Sequence, residues 1–227
     1  MWAIAKKEIK TYFLSPIGYV FIGLFLIMCS IFFYLDVITY GTTNFEYMFY
    51  SAATILTFII PILTMKMFAE ERKTGTEQIL FTSPRSITSI ALGKLLGAAI
   101  IILITEAFTL VYYFILMTFG TPHITTALIT LLGYFLLAMT YISFGMLASS
   151  LTENQIIAGI ITIAFFIITW FMPNFITGTE NFSFINVFCN TFPTGAVSVS
   201  SIVLFLSSIV MFTLLTIVVL QRKKSIK

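Results

Sequence analysis

Charged residues are scarce in this sequence of 227 residues, at 9% of the chain, against roughly 25% in an ordinary soluble domain. Hydrophobic residues make up 59%, and Phe alone occurs 25 times. A soluble domain of about this length buries only ~70–75% of the surface that its unfolded chain exposes, so it could not hide this much apolar surface from water. The composition therefore excludes a soluble globular protein and a disordered one, and it predicts a membrane protein.

Side chains that perform chemistry are also few, with one His, two Cys and nine acidic residues. A lone His123 is a weak signal for a metal site. Cys29 lies within an apolar run and Cys189 in a connecting segment, so they are expected at different depths and are interpreted as small apolar fillers. The sequence predicts no metal site, no catalytic group and no cofactor held by this chain.

A phosphate-binding loop is missing as well. Such a loop needs the pattern G-x-x-x-x-G-K followed by Ser or Thr, because its backbone amides cradle the phosphates. The single Gly-Lys pair is Gly93-Lys94, which is followed by Leu95, and Thr88 stands where the first Gly belongs. Any ATP that drives this protein must bind to another polypeptide.

Apolar runs of the length that a membrane-crossing helix needs, about 20 residues, occur six times. They are continuous rather than alternating, which argues against the strands of a membrane barrel. The sequence predicts an all-α integral membrane protein, one transmembrane domain over 1–227, with spans at about 17–35, 47–65, 95–117, 127–148, 156–172 and 199–220.

The twelve basic residues are grouped beside these runs. With six spans, all of them fall on one side of the membrane, while the opposite side carries Asp36, Glu46, His123 and Glu180. Because Lys and Arg are retained in cytoplasmic loops, both termini are predicted to be cytoplasmic in a multi-pass protein of the cell membrane. The clusters are read as topology signals, and no nucleic-acid partner is expected.

The segment 1–14 mixes apolar and basic residues in a roughly helical rhythm, which predicts a helix lying in the cytoplasmic interface and in contact with membrane lipid. Ser15-Pro16 then begins the first span, since Pro is tolerated at an early helical position. The lysines of this segment either enforce topology or serve a specific docking role, and the pattern leaves both open.

The connector between the second and third spans holds most of the polar sequence. The second helix is expected to continue to about Arg72, and Gly75 to end it. Thr74 and Glu77 have the spacing of a capping box, which predicts a short new helix. Its apolar residues either fold back against the bilayer or dock a cytoplasmic partner, and they are Ile79, Leu80 and Phe81.

Glu106 is the one carboxylate deep inside a span, ~18 Å along the helix from Lys94 at 1.5 Å per residue. A charge at that depth costs at least ~2.5–3.5 kcal/mol, so it should face protein or water. It is interpreted either as a substrate-contacting group or proton-sensitive gate, or as a hydrogen-bonded link between helices, with Thr105 or Thr109 as neighbours.

Two stretches resemble one family. The cytoplasmic loop of ABC-2-type transporter permeases is similar to Glu70-Glu71-Arg72-Lys73-Thr74-Gly75-Thr76-Glu77 with Leu80, Thr82-Ser83-Pro84 and Leu92-Gly93-Lys94. The opening resembles the N-terminus of the GldF/NosY-like branch, on Lys7-Glu8-Ile9-Lys10-Thr11-Tyr12-Phe13-Leu14-Ser15-Pro16-Ile17-Gly18-Tyr19-Val20.

That resemblance implies a permease subunit of an ATP-driven ABC transporter, with export as the usual direction. It implies a second copy or a homologous permease as partner, and two separate ATP-binding cassette subunits that hold ATP and Mg²⁺. The short helix from Thr76 to Thr82 would be the coupling helix that docks the ATPase, after a charged hinge. The implied coupling residues are Glu70, Glu71, Arg72, Thr76, Glu77, Ile79, Leu80 and Phe81.

Two other functions compete with transport. One is a structural or regulatory subunit of a larger membrane complex. The other is an intramembrane enzyme, since Glu70-Glu71 is like the paired glutamates of membrane-embedded peptidases. The Arg expected four residues later is Gly75, however, and the His residues of such sites are missing. The substrate stays undetermined, although a mostly apolar interface favours an amphipathic or lipid-like molecule or a peptide.

Overall fold

A computed structural model of the chain describes residues 1–78 and 86–226. Within these ranges the protein is built from helices, without strands, which confirms the all-α prediction. The predicted docking residues Ile79, Leu80 and Phe81 lie outside the described residues.

The α-helices are α1 (Trp2–Leu14), α2 (Pro16–Phe32), α3 (Tyr47–Thr64), α4 (Ala69–Lys73), α5 (Ile87–Met117), α6 (Ile124–Leu151), α7 (Gln155–Phe171), α8 (Phe184–Thr191) and α9 (Val199–Ile226). A π-helical turn follows α2 at Phe33–Ile38, and short 3₁₀ turns occupy Met172–Asn174 and Glu180–Phe182.

Six helical stretches of the described chain are long and apolar enough to cross a membrane. The third begins at Ile87, earlier than the predicted start at 95, because Ser86 caps it by accepting a hydrogen bond from the Ser89 amide at 3.2 Å. Gly93 and Lys94 interrupt the apolar run there, so hydropathy alone does not indicate where the helix begins. The stretches are Pro16–Ile38, Tyr47–Lys73, Ile87–Met117, Ile124–Leu151, Gln155–Asn174 and Val199–Lys224.

These spans differ in how deeply they are buried. The stretches containing α3, α5 and α6 have 61%, 61% and 67% of their most apolar window buried inside the protein, whereas those containing α2, α7 and α9 have 28% each. The first three therefore form the centre of the bundle, and the other three surround it. The outer helices present their apolar side chains to the bilayer or to another subunit.

The N-terminal helix α1 packs closely on the beginning of α5. Gly93 and Gly97 permit this approach, since a Cβ at these positions would lie 2.7 Å from the Cβ of Ile4 and 2.8 Å from the Cβ of Glu8. Small residues four apart on a membrane helix allow such close packing. The amphipathic segment thus lies against protein on one side, while Trp2 stays exposed.

The second span is not one continuous helix to Arg72, so that prediction is wrong in its detail. The chain turns between α3 and α4, at residues 65–68. The hydroxyl of Ser149 on α6 accepts hydrogen bonds from the amides of Phe68 and Ala69, both at 3.0 Å, and donates to the carbonyl of Met65 at 3.1 Å. These bonds replace helical ones, so the turn leaves these backbone groups satisfied. Gly75, at φ +73°, follows α4.

The segment between α7 and α9 folds back onto the bundle, as its apolar composition predicts. Ser183 caps α8 by accepting a hydrogen bond from the Asn186 amide at 3.4 Å. Phe188 and Phe192 are fully buried, and the Phe192 ring packs so closely on Gly133 of α6 that no side chain fits there.

Candidate functional site

Oppositely charged side chains meet where α1, α4 and α5 adjoin. The ammonium of Lys94 lies 3.1 Å from Oε1 of Glu8 and 2.9 Å from Oε1 of Glu71. Lys7 approaches the same two carboxylates from the solvent side, at 3.6 Å and 3.5 Å. Lys94 is only 2% exposed, and Lys7 is 60% exposed. We call these four residues, Lys7, Glu8, Glu71 and Lys94, the junction.

Local structure explains why the junction forms. Lys94 lies in the second turn of α5, beside the glycines that bring α1 close, so Glu8 can reach its ammonium. Glu71 arrives from α4, whose position is fixed by the turn bound to Ser149. The ring of Phe68 lies 5.0 Å from the Lys94 nitrogen, a cation–π contact.

Burial makes the junction sensitive to the loss of any partner. Bringing a charge into a low-dielectric interior is costly, and the cost is offset only while the opposite charge and hydrogen bonds are present. Oε2 of Glu71 is buried without a hydrogen-bond partner among the described residues, so Glu71 depends on Lys94 and Lys7 for its stabilisation. The junction therefore holds three helices in one arrangement.

Tyr12 adds a neutral link beside the junction. Its hydroxyl donates a hydrogen bond to the carbonyl of Leu63 near the end of α3, at 3.3 Å. Burial, with a contribution from the negative charge of Glu8, raises the pKa of the Tyr12 phenol. The phenol thus keeps its proton at neutral pH and joins α1 to α3.

A second set of contacts joins the connector to α6 and α9. Nη2 of Arg72 donates to the carbonyl of Ser150 at 2.7 Å and lies 3.2 Å from Oε1 of Glu77. The ammonium of Lys223, on α9, donates to the same carbonyl at 2.7 Å. The last carbonyls of a helix lack partners within it and carry partial negative charge, so these two cations stabilise the end of α6.

The predicted hinge residues therefore face in different directions. Glu71 contacts α1 and α5, and Arg72 contacts α6, whereas Glu70 makes a looser pair with Lys66 at 4.0 Å and is half exposed. Thr76 donates to the carbonyl of Glu71 at 3.2 Å, which ties the start of the connector to α4. A role for any of them in coupling to an ATPase stays a prediction.

Lys7, Glu8 and Lys94 are the members of the junction that the sequence argument did not identify as site residues. The available signal was Lys94 itself, because a lysine inside an apolar helical run requires an acidic partner. Its distance of 86 residues from Glu8 makes that partner unpredictable from local pattern.

Glu106 is buried within α5, at 7% exposure. Its Oε1 has no hydrogen-bond partner among the described residues. The hydroxyls of Thr105 and Thr109 donate instead to backbone carbonyls, those of Ile101 and of Glu106, each at 2.7 Å. The two threonines do not link the Glu106 carboxyl to another helix, and whether Glu106 contacts substrate stays a prediction.

Metal-binding side chains do not gather in the described part of the chain, where no three His, Cys, Asp or Glu residues form a group suited to an ion. Cys29 is a buried free thiol and Cys189 a partly buried one, in keeping with their interpretation as apolar fillers.

Comparison with known proteins identifies the fold that carries this site. Among curated proteins no sequence matches the chain. The model of a family described as ABC-2 family transporter protein matches residues 36–221, which contain α3 to α8 and most of α9. The match covers far more than half of the sequence, and the six apolar helices agree with a membrane transport component. The chain belongs to the ABC-2 family of transporter proteins.

Proposed function

We propose that this chain is the permease subunit of an ATP-driven ABC exporter, in which two permeases work with two separate ATP-binding cassette subunits. Family membership and six spans support the permease role. The placement of all basic residues beside one set of span ends supports a cell-membrane topology with both termini in the cytoplasm. The junction is the observation that carries the coupling mechanism.

The connector after α4 is the proposed docking element for the ATPase, over Thr76 to Thr82. A displacement of this segment reaches the bundle by two routes that the contacts define. Glu71 passes it to Lys94 on α5 and, through that ammonium, to Glu8 on α1. Arg72 passes it to the end of α6 at Ser150. Two of the three central helices of the bundle would move together with α1.

The substrate class proposed is an amphipathic or lipid-like molecule or a peptide. Support comes from the outer helices, where Ile27 of α2, Ile160 of α7 and Val210 of α9 are 56%, 59% and 56% exposed. Apolar surfaces of this kind suit the bilayer and a second permease copy. The carboxylate deep within a span is that of Glu106, proposed to contact substrate or act as a gate.

Co-purification tests the docking assignment. The chain would be co-expressed with each ATP-binding cassette subunit that a neighbouring gene encodes, and the amount of ATPase retained per permease would be measured. Leu80→Glu places a charge in the proposed apolar docking surface, so we expect most of the ATPase to be lost.

Ile176→Glu is the matched control, because it makes the same chemical change at a half-exposed position on the far side of the bundle. Its ATPase retention should equal that of the wild-type protein. Equal retention by the Leu80→Glu variant would refute the docking assignment, and failure of the wild-type protein to retain the ATPase would favour a structural or regulatory subunit.

A further inference from the structure

An open cavity with a mainly apolar lining lies at the far end of the bundle, by which we mean the end away from the junction, where α2 ends and α3 begins. Its volume is about 540 Å³, and it is open on one side. Its lining combines one carboxylate, three phenol rings and two hydroxyls, from Asp36, Tyr40, Thr42, Tyr47, Tyr50 and Ser51. The proposed coupling mechanism does not involve this cavity.

Asp36 is presented to the cavity by the π-helical turn Phe33–Ile38. Such turns are rare insertions in α-helices that often occur at functional sites. Oδ2 of Asp36 accepts a hydrogen bond from the Ser51 hydroxyl at 2.7 Å. That hydroxyl is a neutral donor, so it orients the carboxylate without balancing its charge.

No Lys or Arg in the described part of the chain lies at this end. Each of them precedes α2, follows α3, lies at the start of α5 or follows the apolar part of α9. His123 is the other side chain at this end that could carry a positive charge. It lies close to Glu46, whose carboxyl pKa is raised by burial and partly lowered again by His123. The described residues therefore provide no Lys or Arg to balance the charge of Asp36.

The tyrosines indicate which kind of cation fits. Tyr40 is 76% exposed and Tyr47 is 40% exposed, and the rings of Tyr47 and Tyr50 lie 6.2 Å apart between centroids, tilted by 53°. Aromatic faces beside a carboxylate attract organic ammonium groups. A divalent metal would require six or more oxygen ligands, or several fixed waters, and one carboxylate does not supply them.

We propose that Asp36, Tyr40, Tyr47 and Tyr50 form a binding site for an organic ammonium group attached to an apolar or amphipathic molecule. Asp36 supplies the charge and the three rings surround the ammonium. The ammonium belongs either to a lipid headgroup, such as phosphatidylcholine, or to a free amine. The proposal stands whether or not an ATPase docks on the connector, because its residues lie at the opposite end.

The test uses the full chain in nanodiscs of phosphatidylglycerol, which carries no ammonium. Choline is the probe, and 3,3-dimethyl-1-butanol, its neutral isostere, is the matched control ligand. Saturation-transfer NMR, corrected for empty nanodiscs, measures binding. We expect choline to bind at least about fivefold more tightly than the isostere, since only choline carries a charge for the carboxylate and rings. Equal binding would overturn the proposal.

Variants assign the binding to the cavity. Asp36→Asn keeps the shape and should weaken choline binding about tenfold or more, while Tyr47→Leu should weaken it severalfold. Glu180→Gln removes a carboxylate from the same end of the bundle, outside the cavity, and should leave binding unchanged. If Asp36→Asn binds choline like the wild-type protein, the assignment is wrong. If Asp36→Asn does not fold, the half-exposed Tyr47 decides, and unchanged binding in Tyr47→Leu refutes the site.

Nanodisc composition separates the two sources. Replacing phosphatidylglycerol by phosphatidylcholine should suppress choline binding if lipid headgroups occupy the site. Retained choline binding in phosphatidylcholine would assign the site to free amines.

Discussion

The two ends of the bundle handle charge in opposite ways. At the junction, Lys94 is enclosed by Glu8 and Glu71, and each buried charge has an opposite neighbour. At the far end, Asp36 is held by a neutral hydroxyl and surrounded by tyrosines. Because Lys and Arg gather at one end, carboxylates at the other end cannot be balanced by them. Paired charges hold helices in place, whereas a carboxylate without a cationic neighbour is available to bind a positively charged ligand.

Lys94→Met should produce the largest loss of stability. The variant keeps an apolar stem of similar length but leaves Glu8 and Glu71, at side-chain exposures of 8% and 15%, with the exposed Lys7 as their remaining cation. Removing one member of a buried ion pair costs about 3–5 kcal/mol. Denaturation of the purified protein in detergent, followed by circular dichroism, measures the change.

Lys7→Met is the control, because this lysine touches the same carboxylates but is 60% exposed, and exposed pairs contribute little. A triple variant, Glu8→Gln, Lys94→Met and Glu71→Gln, sharpens the comparison, since it removes all three buried charges and should recover most of the stability that Lys94→Met loses. If the triple variant is less stable than Lys94→Met, the junction stabilises through packing rather than charge.

Gly97→Leu should produce the next largest effect. A Cβ there would lie 2.8 Å from the Cβ of Glu8, so α1 would have to move away from α5 and the pairing of Glu8 with Lys94 would weaken. Overpacking of this kind costs about 1–3 kcal/mol. The same unfolding measurement, together with protease cleavage within α1, reports the loss.

Gly23→Leu is the matched control on α2, where no atom lies within 4 Å of an added Cβ. Leucine is the better helix former, so this variant should be as stable as the wild-type protein or slightly more stable. Comparable losses in the Gly97 and Gly23 variants would show that the contact of α1 with α5 is unimportant.

The sequence predicts the number of spans well, because it depends on composition summed over many residues. Six apolar runs survive errors at single positions. The partners of Lys94, in contrast, are not predicted by the sequence around it. Glu8 and Glu71 become those partners only once the helices pack.

The turn between α3 and α4 shows the same limit. Residues 65–68 contain no Gly or Pro to signal a break. The hydroxyl that binds the turn belongs to Ser149, which is 80 or more residues away from Met65, Phe68 and Ala69. Local propensity predicts a continuous helix, and a tertiary hydrogen bond overrides it. The cavity at Asp36 was missed for a related reason. Residues 36–51 form it only once the segment between α2 and α3 has folded.

Glu106 offers the smallest change in stability and tests a position that belongs to neither end. Its Oε1 lacks a partner among the described residues, so Glu106→Gln removes no charge pair like that of the junction, and stability should change by less than about 1 kcal/mol. If Glu106 contacts substrate or gates the pathway, substrate-stimulated ATP hydrolysis by the assembled transporter should still change severalfold.

Thr105→Val is the control, because this hydroxyl bonds only within its own helix in the described contacts, and turnover should stay near normal. Normal turnover in Glu106→Gln as well would leave Glu106 a structural residue, and would place the ligand-contacting polar groups at the far end alone.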